Sequence, residues 1–366
     1  MDSKKYYILL FLALLLSTVS FSQNLIWNNP QNHTQNIVQG TGWPKELKGT
    51  YNRLPERIKP KARKPVWNLS LQSAGNYIEF KSDAKYLEVK YIVEKKDYAM
   101  PHMPSTGVSG LDLYVKNGDS WLWEPGKYNF KDTITYKFDN IDITQERVFR
   151  LYLPLYNQVT WLEIGSPKGK KFTFLPLNPD KPIVVYGTSI AQGACASRPG
   201  LAWTSLLGRY MNQNIINLGF SGNGILDKPI VDIISEIDAK LFILDNMPNL
   251  DDSSRFPESD VKERVFYAIQ KIRKNHPKTP ILLTQHSGGN TALVIEKQRN
   301  DAFHRINDII LKCYTEVRKS DNNIYFLNTK SINMGIDSTV DGLHPNDIGM
   351  VEHAKAYEKL ISQILK

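Results

Sequence analysis

Two hydrophobic rhythms divide the chain. From about residue 67 to 175, apolar and polar positions alternate one by one, as in Tyr77-Ile78-Glu79-Phe80, Tyr86-Leu87-Glu88-Val89-Lys90-Tyr91-Ile92-Val93, Leu111-Asp112-Leu113-Tyr114-Val115 and Val148-Phe149-Arg150-Leu151-Tyr152-Leu153. Successive side chains of a strand point to opposite faces. This period of two, broken by Gly, Asn, Asp and Pro, therefore predicts short antiparallel strands in a sandwich or barrel. Phe172-Thr173-Phe174-Leu175 closes the region.

After Asn178-Pro179-Asp180-Lys181-Pro182 the rhythm changes. Short apolar runs, expected as strands at 183–186, 215–218, 241–244, 281–284 and 324–327, now alternate with segments whose apolar residues fall three and four apart. Trp203, Leu206, Leu207 and Tyr210 form one such stripe, Val261, Val265, Ala268, Ile269 and Ile272 a second, and Phe303, Ile306, Ile310 and Val317 a third. Five strands joined by crossover helices imply a three-layer α/β/α fold around a parallel five-stranded sheet. Such sheets place their ligand sites beyond the carboxyl ends of the strands. The expected organisation is an N-terminal segment or linker over 23–65, a small antiparallel β-sandwich over 66–177 and the α/β domain over 178–366.

Composition narrows the class. A chain of 366 residues that is 41% hydrophobic and 23% charged is long enough for two globular domains and is not a disordered or multi-span protein. The 46 basic and 37 acidic residues leave +9, but the basic residues are only partly gathered, so no nucleic-acid partner is expected. The densest run, Arg57-Ile58-Lys59-Pro60-Lys61-Ala62-Arg63-Lys64, is broken by Pro and reads as a solvated linker. Residues 1–22 read as a signal peptide, with Lys4 and Lys5 before the apolar stretch Tyr6 to Val19 and Ser20-Phe21-Ser22 before Gln23. No cysteine lies there to carry a lipid anchor and no later stretch is long and apolar enough to span a membrane, so the expected location is periplasmic or secreted. The two cysteines, Cys195 and Cys313, provide no disulfide framework, and Cys313 sits on the apolar stripe of its helix as a buried thiol.

Candidate chemistry gathers at the strand ends. The first strand runs into Gly187-Thr188-Ser189-Ile190, where a serine hydroxyl lies beside backbone N–H groups able to stabilise an oxyanion, although serine also caps helices. The second ends in Gly219-Phe220-Ser221-Gly222-Asn223-Gly224 and the third in Asp245-Asn246-Met247-Pro248-Asn249, supplying a close-approaching backbone and an amide side chain. Near the C-terminus, Asp341-Gly342-Leu343-His344 puts a carboxylate three residues before an imidazole, close enough to fix its tautomer.

Taken in order, these four blocks resemble the SGNH (GDSL-type) hydrolase family over roughly residues 179–366. The resemblance implies a flavodoxin-like sheet and ester hydrolysis with Ser189 as nucleophile and Asp341 and His344 as acid–base pair. It places the oxyanion donors on the Ser189 and Gly222 amides and the Asn249 side chain. Thr188 replaces the family's usual Asp, and Met247-Pro248-Asn249-Leu250 departs from its third block; Asn249 rather than Asn246 matches the family's spacing. Gly193-Ala194-Cys195-Ala196-Ser197-Arg198 through Thr204, together with Gly110-Leu111-Asp112-Leu113-Tyr114, resembles a Bacteroidetes-type subgroup whose hydrolase follows a Gly-x-Asp-Leu-Tyr β domain. Within it, Met100 to Gly107 is a candidate overhang of the active site. His286 is a candidate lining of the substrate pocket, and Arg198 a candidate substrate contact or an interdomain bond.

His276, His304 and His353 lack metal-ligand spacing, no phosphate loop is present, and no metal or cofactor is expected. By analogy with the family, the expected substrate is an acylated glycan, most of all an O-acetyl ester, with Trp121, Trp123 and Trp161 as candidate sugar-stacking residues. A lipid or small-molecule ester and a catalytically inactive carbohydrate-binding protein are the competing readings.

Overall fold

The computed structural model describes residues 24–288 and 295–366. The expected signal peptide lies outside the described residues. The first half is a sandwich of two antiparallel sheets. Its strands are β1 (Leu25–Asn28), β2 (Val38–Gln39), β3 (Tyr77–Ser82), β4 (Leu87–Val93), β5 (Asp112–Asn117), β6 (Ser120–Glu124), β7 (Lys127–Asn129), β8 (Ile134–Phe138), β9 (Arg147–Tyr152), β10 (Val159–Pro167) and β11 (Phe172–Phe174). One sheet runs β1-β10-β4-β8-β7 and the other β11-β3-β9-β5-β6, with β2 beside β3. Alternation puts Val89, Tyr91 and Leu162 of the first sheet against Ile78, Phe149 and Leu151 of the second, all fully buried. Two short helices, α1 (Lys64–Ser70) and α2 (Ser105–Val108), belong to this half.

The second half holds β12 (Ile183–Gly187), β13 (Ile215–Gly219), β14 (Leu241–Asp245), β15 (Ile281–Thr284) and β16 (Ile324–Leu327), parallel throughout in the order β13-β12-β14-β15-β16. Its helices are α3 (Ser189–Gln192), α4 (Trp203–Tyr210), α5 (Lys228–Ile234), α6 (Glu258–Asn275), α7 (Lys297–Arg318), α8 (Thr329–Ile332) and α9 (Asp347–Ile364). Side chains alternate across this sheet. Val184, Tyr186, Leu218 and Phe242 pack against α5, α6 and α7, whereas Val185, Ile215, Leu241 and Ile243 pack against α4 and α9. Burial on both faces explains why these strands read as unbroken apolar runs. The Trp203 ring of α4 stacks on Tyr357 of α9, with centroids 4.3 Å apart.

The segment expected as a linker is instead built into both cores. β1 pairs with β10 to extend the sandwich. Trp43, Leu47, Leu54, Ile58 and Val66 pack into the hydrolase-side core together with Ile233 and Phe220. The basic run is exposed at Arg57, Lys59, Lys61 and Lys64, as a solvated stretch would be, but two of its arginines are also partnered: Arg57 bonds Glu46 and Glu236, and Arg63 bonds Asp227 at 2.7 Å. Met103, Val108, Leu155 and Tyr156 of the sandwich half join the core around α4 and α9, so the two halves share their interior. Cys195 and Cys313 are buried free thiols.

Candidate active site

Ser189 opens α3 directly behind β12. The fold places it there by close backbone packing: a Cβ on Gly187 would lie 2.9 Å from the Asp245 carbonyl oxygen, so only glycine lets the strand end turn. Thr188 caps α3, its hydroxyl accepting from the Ile190 N–H. Ser189 Oγ is 2.8 Å from His344 Nε2.

Asp341 and His344 come from the loop before α9. Asp341 Oδ1 accepts from the main-chain N–H groups of Leu343 and His344, at 3.0 and 2.7 Å, and Oδ2 lies 2.7 Å from His344 Nδ1. An ionised carboxylate can only accept, so Nδ1 carries the proton and Nε2 presents its lone pair to the Ser189 hydroxyl. Burial works to raise the Asp341 carboxyl, but the hydrogen bonds from His344 outweigh it and hold the group below its ordinary range. The loop is fastened by Gly342 at φ +78°, by Val340 N–H on the His344 carbonyl at 3.0 Å and by Cys195 N–H on the Pro345 carbonyl at 2.8 Å.

The Gly219–Gly224 loop packs against the serine's strand. A Cβ on Gly224 would sit 2.0 Å from the Gly187 oxygen, and Phe220 N–H donates to that same carbonyl at 3.0 Å. Gly222 adopts φ +65°. Asn249 Oδ1 accepts from the Gly224 N–H at 3.0 Å, and its Nδ2 has no hydrogen-bond partner among the described residues. Asn246, the competing asparagine, is fully buried and donates Nδ2 to the Gly224 carbonyl at 3.0 Å. The loop therefore has one asparagine bracing it and another with a free donor.

Two candidate substrate contacts have protein partners. Arg198 takes the interdomain alternative: Nη1 donates to Asp112 Oδ2 at 2.6 Å and to Tyr114 Oη at 2.7 Å, and the guanidinium lies over Trp123. His286 is buried rather than lining an open pocket. Its Nδ1 accepts from Gly288 N–H at 3.0 Å, and burial, with His353 and His344 nearby, lowers the imidazole to about 3. The Met100 to Gly107 segment does reach the site. Thr106 Oγ1 donates to the Ser197 carbonyl at 2.7 Å, and the His102 ring lies 6.2 Å from that of His344. Of the tryptophans, Trp123 is 46% exposed, whereas Trp121 is half-buried beside Arg150. Burial raises the Cys195 thiol to about 12, so it is no rival nucleophile. Among the described residues no group of His, Cys, Asp and Glu is arranged to hold a metal.

Residues 180–362 match the family described as GDSL-like lipase/acylhydrolase, and residues 25–172 match the GxDLY family, the N-terminus of SGNH-hydrolase-type esterases. A proposed GDSL-like lipase from Bacteroides ovatus is 31% identical, with 93% of this chain and 98% of that chain covered and a TM-score of 0.82. A salicylyl-acyltransferase of a tetracycline biosynthetic pathway is 18% identical, covering 93% and 97% with a TM-score of 0.74. An acetyl xylan esterase from the rumen bacterium Butyrivibrio proteoclasticus is 13% identical, covering 93% and 99% with a TM-score of 0.57. At these identities the last two share the fold. No curated protein matches the chain.

Proposed function

The chain belongs to the GDSL-like lipase/acylhydrolase family, and from that premise we propose that it is an exported serine esterase that removes O-acetyl groups from carbohydrates. The observation that carries the chemistry is the unbroken relay from Asp341 through His344 to Ser189, with contacts of 2.7 and 2.8 Å.

In this reading His344 Nε2 takes the Ser189 proton as Oγ attacks the ester carbonyl. The resulting oxyanion is held by the N–H groups of Ser189 and Gly222 and by Asn249 Nδ2. His344 then gives its proton to the leaving sugar oxygen, and the acyl-enzyme is hydrolysed by a water that His344 deprotonates. Asp341 keeps the imidazole in the productive tautomer and faces the imidazolium that forms. Thr188, in place of the family's usual Asp, leaves this relay intact.

The glycan preference is supported by the likeness in fold to an acetyl xylan esterase and by the exposed Trp123 on the β domain. Export is read from residues 1–22. Among the described residues no helix is long and apolar enough to cross a membrane.

The test is acetate release from a panel of acetylated polysaccharides by the wild type and by Ser189→Ala. Release by the wild type alone, with kcat lower in the variant by on the order of a million-fold, is expected. Equal release by both proteins overturns the assignment of Ser189, and preference for long-chain acyl esters overturns the substrate class.

A further inference from the structure

The loop that would hold the oxyanion is itself held from outside the hydrolase domain. Arg53 lies in the N-terminal segment, is 2% exposed, and has no carboxylate among its hydrogen-bond partners. Its guanidinium donates instead to main-chain carbonyls: Nε to Gln72 at 2.9 Å, Nη2 to Leu69 at 2.6 Å, and Nη1 to Gly219 at 2.6 Å and Asn217 at 3.4 Å. It also lies over the Phe220 ring, 4.9 Å from its centroid. Burying a charge without a counter-ion is costly, and here the five-donor fork of arginine offsets the cost by satisfying several carbonyls at once. The Gly219 and Asn217 carbonyls belong to the end of β13, immediately before the loop.

Arg63 grips the other end. Its Nη1 donates to Asn223 Oδ1 at 2.8 Å and Nη2 to the Asn223 carbonyl at 3.1 Å, while Nε and Nη2 hold Asp227. A third connection passes through Gln192 at the end of α3. Its Nε2 donates to Gln72 Oε1 at 2.6 Å and to the Leu155 carbonyl at 3.1 Å, so its Oε1 faces the Ser221 N–H, 3.0 Å away. The stretch from Asn217 to Asn223 is thus fastened at both ends and in the middle by groups that trace back to the first half of the chain.

Resting on the esterase reading above, we propose that Arg53 and Arg63 are positioning residues for the oxyanion loop, so that the hydrolase domain is catalytically complete only with the segment that precedes it. Neither arginine touches the reacting atoms. Each fixes the main chain whose Gly222 N–H, at positive φ, has to point at the developing charge. An oxyanion donor contributes only when it is already in place, and a displacement of about 1 Å is enough to cost about 100-fold.

The experiment compares Arg63→Met, Arg53→Lys and a neighbour, Arg57→Met, whose ion pairs with Glu46 and Glu236 do not reach the loop. For each, kcat and KM on p-nitrophenyl acetate, the rate of serine labelling by a fluorophosphonate, and the melting temperature are measured. Arg63→Met and Arg53→Lys are expected to lower kcat by about 10-fold or more with KM within about twofold, and to slow labelling in proportion. Arg57→Met is expected to keep both rates. Wild-type kcat in folded Arg63→Met overturns the inference, as does a fall in kcat that Arg57→Met shares. Should Arg53→Lys fail to fold, Arg63→Met decides, because its side chain is a third exposed and tolerates replacement. A wild type that neither turns over nor takes the label overturns the esterase reading itself.

Discussion

The oxygen and the nitrogen of one amide separate what Asn249 does for the fold from what it is proposed to do for chemistry. Its Oδ1 braces Gly224 while its Nδ2 is left without a hydrogen-bond partner among the described residues. Asn249→Ala removes both and is expected to lower kcat by about 100-fold. Asn249→Asp keeps an acceptor for the Gly224 N–H but sets a negative oxygen where the donor stood. It should therefore be at least as stable as the alanine variant in thermal melts and yet slower in turnover; an aspartate variant faster than the alanine one overturns the donor role. At the same scale Arg198 shows where the sequence left two answers open. An arginine that meets a substrate and an arginine that meets a second domain look alike in a string of letters, and the partner that the fold supplies, the carboxylate of Asp112, lies 86 residues away.

Buried histidines carry the pH dependence, and helix α9 supplies one of them. Its His353 is fully buried, with Nδ1 donating to the Gly349 carbonyl at 2.9 Å, and burial lowers its imidazole to about 4. His286 lies at about 3 for the same reason. Both folded values are below the ordinary value near 6.5, so the unfolded chain binds more protons and stability falls as pH drops from about 6.5 toward 4. Asp245 acts in the opposite sense, because burial raises its carboxyl from 3.8 to about 6 and its folded form takes up a proton first. With two histidines against one aspartate, the melting temperature is expected to fall between about pH 6.5 and 4.5, and His353→Gln to flatten that fall. A slope unchanged in the variant contradicts the assignment. The elements themselves differed in legibility. The strands of the parallel sheet were readable because residues such as Val184 and Val185 are buried on opposite faces and little that is polar interrupts the runs, Asn217 of β13 being an exception. Strand β1 was not, because Leu25-Ile26-Trp27-Asn28 becomes a strand only by pairing with β10, far along the chain. Arg53 was hidden in the same way, because it binds main-chain carbonyls, which look identical at every position of a sequence, and Arg63 because its partners Asn223 and Asp227 lie 160 and 164 residues away.

For the molecule as a whole, the joint between the halves can be probed at Asp112. Asp112, from the Gly-x-Asp-Leu-Tyr motif, accepts from Arg198 Nη1 at 2.6 Å, from Gly200 N–H at 2.9 Å and from Trp123 Nε1 at 2.5 Å, and is buried. Removing one member of a buried pair strands the other. Asp112→Ala is therefore expected to cost about 3–5 kcal/mol in urea unfolding, and a loss below about 1 kcal/mol contradicts the reading of this contact as structural. The shared core also sets the order in which the protein becomes functional. Asp341 and His344 are three residues apart and can meet as soon as their loop forms, but Ser189 and His344 are separated by 155 residues, and Arg53 and Gly219 by 166. Contacts between distant parts of a chain close late, after loop-closure entropy has been overcome. In the proposed mechanism, a chain in which only local contacts have closed is therefore expected to hold its base and orienter without the nucleophile beneath them. On the proposed mechanism, turnover is expected to return late in refolding and to report completion of the whole chain rather than of the α/β domain alone.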